Sequence, residues 1–120
     1  MNELHHHILR KDFPLLYDEH FMFETGDGWF DLIYALSNNL NELIKQENKP
    51  AHYRVVQVKS KFAELRYYMD CTTAEMDAII SRAEELSRKT CEYCGKPGNR
   101  DMKDYWLHVR CESCATLGIK

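Results

Sequence analysis

The chain has 120 residues, of which 44% are hydrophobic and 29% are charged. This length allows one ordinary domain, or a small domain with an appendage, and excludes a large multi-domain enzyme. The balanced composition excludes wholesale disorder. No apolar run approaches the ~18–20 residues that span a bilayer, and the first residues lack the apolar core of a signal peptide. We therefore expect a soluble, cytoplasmic protein.

Charge is unevenly distributed along the chain, whose net charge is −3. Residues 1–31 hold seven acidic and two basic side chains, whereas residues 88–120 hold seven basic and four acidic ones. A zinc ion held by four thiolates adds about −2 to its own segment. The sequence pI of 6.1 is below the value of about 9 typical of nucleic-acid-binding domains. The charge pattern therefore favours a protein partner over a phosphate backbone.

The first predicted elements are an irregular segment and a helix. Residues 1–28 place apolar clusters among acidic residues and end in a Gly-Asp-Gly turn, so they are predicted to be an irregular acidic-aromatic segment. A single apolar stripe predicts a helix from near Trp29 to about Glu47. Asp27 is placed to cap its N-terminus, and Pro50 ends the pattern.

A β-hairpin and a second helix are predicted next. Residues 53–59 and 64–69 are rich in Val, Tyr and Leu and are separated by a short connection. Thr72 and Glu75 form a capping box at the start of the second helix. Residues 29–90 are therefore predicted to form a helix–hairpin–helix core. The side chains expected on the inward side of the hairpin are Val56, Val58, Leu65 and Tyr67.

The cysteine spacing predicts a structural zinc site. Four of the five cysteines form two C-x2-C pairs separated by sixteen residues: Cys91, Cys94, Cys111 and Cys114. Each pair supplies two thiolates from one tight turn, and together they complete a tetrahedron. The unpaired Cys71 and the geometry of a C-x2-C turn disfavour disulfides. Residues 91–120 are predicted to form a zinc ribbon or a shortened treble clef, because only six residues follow Cys114.

These elements predict an α+β fold with two helices, a β-hairpin and a C-terminal four-cysteine zinc ribbon. The sequence contains no motif for nucleophilic catalysis, phosphate binding or dinucleotide binding. Four thiolates fill the zinc shell, whereas catalytic zinc keeps an open position for water. The His5-His6-His7 tract is interpreted as a solvated terminus. We therefore predict a protein that is not an enzyme.

The acidic-aromatic N-terminal segment is the preferred partner-binding surface, with one tryptophan of the zinc ribbon as a further contact. Aromatic side chains anchor protein interfaces, and acidic ones steer association with basic partners. The alternative is that the segment wraps the core and that its acids are solvated. The candidate partner-binding residues are Tyr17, Asp18, Glu19, Phe21, Phe23, Glu24 and Trp106.

Nucleic-acid binding is the alternative function. Basic residues interleaved with aromatic ones can bind single strands by stacking and charge neutralisation. The same aromatic residues could instead cover the metal in a small ribbon. Few bases are clustered, so any such binding is expected to be weak. The candidate residues are Lys59, Lys61, Arg66, Lys96, Arg100, Lys103 and Arg110.

Four stretches carry a specific combination of motifs: residues 26–33 (GDGWFDLI), 56–68 (VQVKSKFAELRYY), 83–87 (AEELS) and 91–98 (CEYCGKPG). Together they resemble a family of small, uncharacterised zinc proteins of phages, prophages and bacteria. Ala63 departs from the family pattern, which often has glycine there. The resemblance implies a zinc protein with this architecture. Its phage association implies binding to a host protein complex, such as a defence system, which is inhibited or redirected in the host cytoplasm.

Overall fold

The computed structural model describes residues 1–103 and 105–117. Within these ranges the chain forms four α-helices and two small sheets, so the predicted α+β class is confirmed. None of these helices combines the length and apolar composition of a membrane-spanning segment. The elements are α1 (Glu3–Asp12), β1 (Phe23–Glu24), α2 (Phe30–Lys45), β2 (Val55–Lys61), β3 (Glu64–Met69), α3 (Ala74–Ser87), β4 (Asn99–Asp101), β5 (His108–Arg110) and α4 (Glu112–Leu117).

The N-terminal segment is ordered, which corrects the prediction that residues 1–28 are irregular. α1 is capped by Asn2, whose side chain accepts a hydrogen bond from the His5 N–H. β1 then pairs in parallel with β2 and becomes the third strand of the first sheet. The segment wraps the core, because its apolar clusters point inward. Its buried apolar side chains are Leu9, Phe13, Leu16, Tyr17, Phe21 and Phe23.

α2 follows the predicted apolar stripe but begins and ends slightly inside the predicted bounds. It starts at Phe30 after a 3₁₀ turn over Asp27–Trp29 and ends at Lys45. Asp27 does not cap it. The Asp27 carboxylate instead accepts a hydrogen bond from the Asn2 N–H at 2.7 Å and contacts His5 Nδ1 at 3.0 Å. It therefore fixes the start of α1 against the turn that precedes α2.

β2 and β3 form the predicted antiparallel hairpin. Its two turn residues, Phe62 and Ala63, have φ values of 54° and 57°. Positive φ at both positions is typical of a type I′ turn, for which Asn-Gly is the preferred sequence. The hairpin is thus closed by two residues that disfavour this backbone conformation.

Three of the four predicted inward side chains of the hairpin are buried: Val58, Leu65 and Tyr67. The fourth, Val56, is 62% exposed. A β-bulge between Val55 and Gln57 shifts the register and places Val55 inward instead. The bulge is therefore the reason that strict alternation fails at this position.

α3 lies against β3, one of the two edge strands of the first sheet. Its N-cap is Thr73, one residue after the predicted cap. Ser87 Oγ accepts a hydrogen bond from the Leu65 N–H at 3.0 Å, and the Glu84 carboxylate accepts one from the Tyr67 N–H at 3.3 Å. Side chains of α3 thus satisfy the outward N–H groups that an edge strand leaves unpaired.

The C-terminal unit consists of a tight turn, the β4–β5 hairpin and the short helix α4. The first cysteine pair lies on the turn before β4. Cys111 immediately precedes α4, and Cys114 lies within it. This order corresponds to the shortened treble clef that was considered beside the ribbon, since a ribbon lacks the helix. α4 needs few residues after Cys114, because it begins at Glu112, before that last cysteine.

Candidate metal centre and exposed hairpin tips

The predicted cysteine ligands come together at one point. The Sγ atoms of Cys91, Cys94, Cys111 and Cys114 all lie within 4.8 Å of one another. A tetrahedral ion with metal–sulfur bonds of ~2.3 Å requires sulfur–sulfur distances of about 3.8 Å. The Cys94 and Cys111 sulfurs are 3.5 Å apart, close to this value. The four side chains are therefore positioned to hold one metal ion, whereas Cys71 lies outside the cluster.

Backbone hydrogen bonds close the turn that carries the first cysteine pair and lower the pKa of one thiol of the second pair. Cys91 N–H donates to Lys96 O at 2.8 Å, which closes the first turn. Cys114 N–H donates to Cys111 Sγ at 3.4 Å, and this bond lowers the pKa of Cys111 to about 7. Burial raises the pKa of Cys114 to about 12. A bound ion overrides these differences, because cysteine coordinates metals as the thiolate.

The Gly-Asp-Gly-Trp motif docks the metal centre on the core. Gly28 N–H donates to Glu92 O at 2.7 Å, and Gly26 N–H donates to Glu92 Oε2 at 2.9 Å. A Cβ atom on Gly28 would lie 2.2 Å from Cys91 O and 2.7 Å from Cys94 N. Only glycine permits this approach, because both obstructing atoms belong to the backbone of the metal-binding turn.

Two further side chains complete the docking contact. The indole of Trp29 is fully buried, and its Nε1–H donates to Thr90 O at 2.9 Å. Ser60 Oγ–H on β2 donates to Glu92 Oε1 at 2.8 Å. The sequence predicts only a turn and a helix start at the Gly-Asp-Gly-Trp motif. The pair of glycines followed by tryptophan was the available signal of a close contact.

Three of the four aromatic residues predicted to bind a partner are buried, whereas the fourth, Trp106, is exposed. Tyr17, Phe21 and Phe23 belong to the hydrophobic core, which corrects their assignment as exposed anchors. The Tyr17 hydroxyl lies 2.7 Å from both Ser37 Oγ and Tyr67 Oη, and burial raises its pKa above the usual range. The neighbouring acids Asp18, Glu19 and Glu24 are exposed. The alternative that the segment wraps the core and solvates its acids therefore describes it better.

Two of the three histidines of the tract, His5 and His6, pack inward, whereas His7 is exposed. His6 is buried, and its Nε2 accepts a hydrogen bond from the Phe23 N–H at 2.8 Å. Its Nδ1 therefore carries the proton and donates to Asn2 O at 2.8 Å. His5 stacks on Phe30 with ring centres 3.9 Å apart. These histidines join α1 to β1 and α2, which corrects the interpretation of a solvated terminus.

Exposed aromatic side chains instead lie at the tips of two hairpins. Phe62 in the β2–β3 turn is 65% exposed, and in the β4–β5 connection Tyr105 is 92% and Trp106 66% exposed. Arg100 of β4 donates from Nη2 to Phe62 O at 2.6 Å and so ties the two hairpins together. With Met102, which is also exposed, these aromatic residues form what we call the hairpin-tip surface.

Two members of the hairpin-tip surface have left-handed backbone conformations. The φ values are 54° at Phe62 and 69° at Tyr105. Such values cost about 1–2 kcal/mol for a residue with a Cβ atom, and bulky residues adopt them rarely. Both side chains are exposed, so burial does not offset this folding cost.

The candidate nucleic-acid residues divide into available and engaged groups. Lys61, Lys96, Arg100 and Lys103 are exposed, and Lys59 is partly buried. Arg110 is buried and binds both carboxylate oxygens of Asp101, which holds the pKa of Asp101 below its usual value. Arg66 pairs with Glu64 at 3.2 Å. Arg110 cannot reach a phosphate from this position, so fewer of the predicted basic residues are available to bind a nucleic acid.

The fold and the cysteines define an α+β protein with four cysteines positioned to bind one metal ion. Comparison with protein-family models, with curated proteins and with solved structures finds no match.

Proposed function

We propose that this protein is a zinc-stabilised, non-enzymatic module that binds a partner protein through the hairpin-tip surface. The main support is that Phe62 and Tyr105 are exposed aromatic residues at left-handed turn positions. A turn selected for folding alone would have Asn or Gly there. Partner binding offsets the folding cost, because exposed Trp, Tyr and Phe side chains are the usual anchors of protein interfaces.

Zinc is the proposed metal, and its role is structural. Four cysteine sulfurs within 4.8 Å of one another can complete a tetrahedral shell, and four thiolate donors favour zinc among the available divalent ions. The same four ligands leave no vertex for a water or a substrate, which supports a protein that is not an enzyme. We expect one zinc per chain by metal analysis after gel filtration, and its loss in Cys91→Ser with Cys111→Ser.

The partner is proposed to be a protein rather than a nucleic acid. The buried Arg110–Asp101 pair removes one candidate base, and the sequence pI of 6.1 gives little general attraction to phosphate. The resemblance to phage-associated zinc proteins supports a host protein complex as the partner. Binding would then inhibit or redirect that complex, for example a defence system, in the bacterial cytoplasm.

Affinity capture from a nuclease-treated bacterial lysate tests the proposed function. The zinc-loaded full chain is compared with Phe62→Ala, Tyr105→Ala and Trp106→Ala combined, and with a control that removes exposed apolar side chains elsewhere, Met22→Ala with Tyr68→Ala. We expect a protein captured by the full chain and by the control but not by the triple variant. Equal capture by all three would contradict the assigned surface.

A further inference from the structure

We propose that the hairpin-tip surface binds an acidic segment of the partner protein, an inference that rests on the proposed function. Three exposed cations accompany the aromatic side chains: Lys61, Arg100 and Lys103. Among the ion pairs and hydrogen bonds of residues 1–103 and 105–117, none of the three has a carboxylate partner. These cations are therefore available to an acidic ligand.

Three described acidic side chains near the two hairpins already have partners within the protein, whereas Asp104, between Lys103 and Tyr105, lies outside the described residues. Asp101 is held by Arg110 at 2.6 Å, and Glu64 at the end of β3 is held by Arg66 at 3.2 Å. The Glu92 carboxylate points inward to Ser60 and Gly26. At the two tips the described charged side chains that remain exposed are thus the cations Lys61, Arg100 and Lys103, whereas the exposed acids Glu24, Asp70 and Glu112 lie on β1 and beyond the far ends of β3 and β5.

The cations and aromatic rings are interleaved at short range. Lys61 Nζ lies 5.6 Å from the centre of the Phe62 ring, and Arg100 bonds the carbonyl of the same residue. Arg100 uses Nη2 in this bond, so its remaining N–H groups can bind a carboxylate. Lys103 follows Met102 in the second tip. A segment that alternates Asp or Glu with apolar side chains is complementary to this arrangement.

A protein segment fits better than a nucleic-acid strand. Three cations near the ends of two hairpins do not form the continuous basic groove that tracks a phosphate backbone over ~4–16 nucleotides. Steering by three charges is, however, sufficient to raise the association rate with an acidic protein and to reject basic ones.

The test is a selection from a random peptide library of about twelve residues, displayed on phage and panned against the zinc-loaded full chain. Counter-selection uses the combined Phe62→Ala, Tyr105→Ala and Trp106→Ala variant. We expect the surviving peptides to contain about twice the input fraction of Asp and Glu. Their affinity should fall about tenfold in Lys61→Glu with Lys103→Glu, which exposes like charges to them. The control, Lys11→Glu with Lys49→Glu, has the same change in net charge outside the tips and should leave affinity within about twofold.

Each other outcome has a defined meaning. Tip-dependent peptides without acidic enrichment overturn the acidic partner but leave the proposed function standing. Failure to recover any tip-dependent peptide overturns the acidic partner, and lysate capture then decides the proposed function separately. An oligo-thymidylate strand that binds more tightly than the peptides at ~0.15 M salt, and only with intact tips, overturns the inference in favour of nucleic acid.

Discussion

Gly28 is the residue at which the metal centre and the core approach most closely. A Cβ atom there would lie 2.2 Å from Cys91 O, so Gly28→Ala must displace the metal-binding turn. We expect a loss of about 3 kcal/mol or more in the free energy of unfolding, together with weaker metal retention. Urea unfolding and metal analysis measure both quantities. Exposed Asn99→Ala, in the same unit, should stay within ~0.5 kcal/mol. An alanine variant as stable as the parent would show that the close contact is absent in solution.

Asp27 gives a pH-dependent prediction. Burial alone would raise its pKa, but hydrogen bonds from Asn2 N–H and His5 outweigh burial and hold the pKa below its usual value. The folded protein therefore binds this proton less readily than the unfolded chain, whose pKa is about 3.9. Stabilisation by the carboxylate is present above pH ~4 and is lost as the pH falls through the lower folded pKa.

We expect Asp27→Asn to reduce the free energy of unfolding by about 1 kcal/mol at neutral pH, since solvent screens this partly exposed group. The difference from the parent should shrink as the pH falls below ~4. Urea unfolding at a series of pH values checks this. A difference that stays constant in acid would mean that the amide disturbs the local geometry rather than the charge.

At the residue scale, the sequence predicted the four clustered cysteines and named Trp106, which is exposed, but its other aromatic candidates Tyr17, Phe21 and Phe23 are buried. The cysteine pairs are local, and their spacing alone limits the geometry. Burial of Tyr17, Phe21 and Phe23 instead depends on the strand pairing of β1 with β2 and on packing against residues far along the chain. Exposure of Tyr105 depends equally on tertiary structure, so composition offered no signal for it.

At the scale of one element, a single substitution in the β2–β3 turn should change folding stability and partner binding in opposite directions. Phe62→Asn places a residue that tolerates left-handed φ at this position. The relief of ~1–2 kcal/mol exceeds the ~0.5 kcal/mol of an exposed cation–π contact with Lys61. We expect the variant to gain about 0.5–1 kcal/mol in stability and to lose about 2 kcal/mol of partner binding. Thermal unfolding and capture measure the two effects. A variant that is both less stable and fully binding would contradict the turn assignment and the anchor together.

Periodicity located the longer elements, because α2, α3 and the hairpin each place one apolar face on the core. α1 was missed since the face it buries includes His6 beside Leu9, and a buried histidine interrupts the apolar pattern. The periodicity of apolar residues also predicted neither the bulge at Val56 nor the short helix α4. Both are set by contacts with neighbouring elements rather than by local propensity.

At the scale of the whole molecule, the three predicted segments share one hydrophobic core. It extends from Leu9 and Phe13 in the N-terminal segment to Val109 in β5. The metal centre is therefore attached to the core by burial as well as by the hydrogen bonds of Gly28 and Trp29. A separate zinc unit that unfolds first on chelation, as the sequence division at residue 91 suggests, does not fit this packing.

Chelation should instead disturb the core through Trp29, because metal-binding energy and folding energy are coupled. The chain has two tryptophans, so a Trp106→Phe background leaves Trp29 as the reporter. Its buried indole bonds Thr90 O, next to the first cysteine ligand. We expect metal removal to shift the Trp29 fluorescence to longer wavelength. We also expect it to lower the urea concentration at the midpoint of unfolding, as followed by far-ultraviolet circular dichroism. Metal release that leaves both signals unchanged would show that the docking contact does not connect the metal centre to the stability of the core.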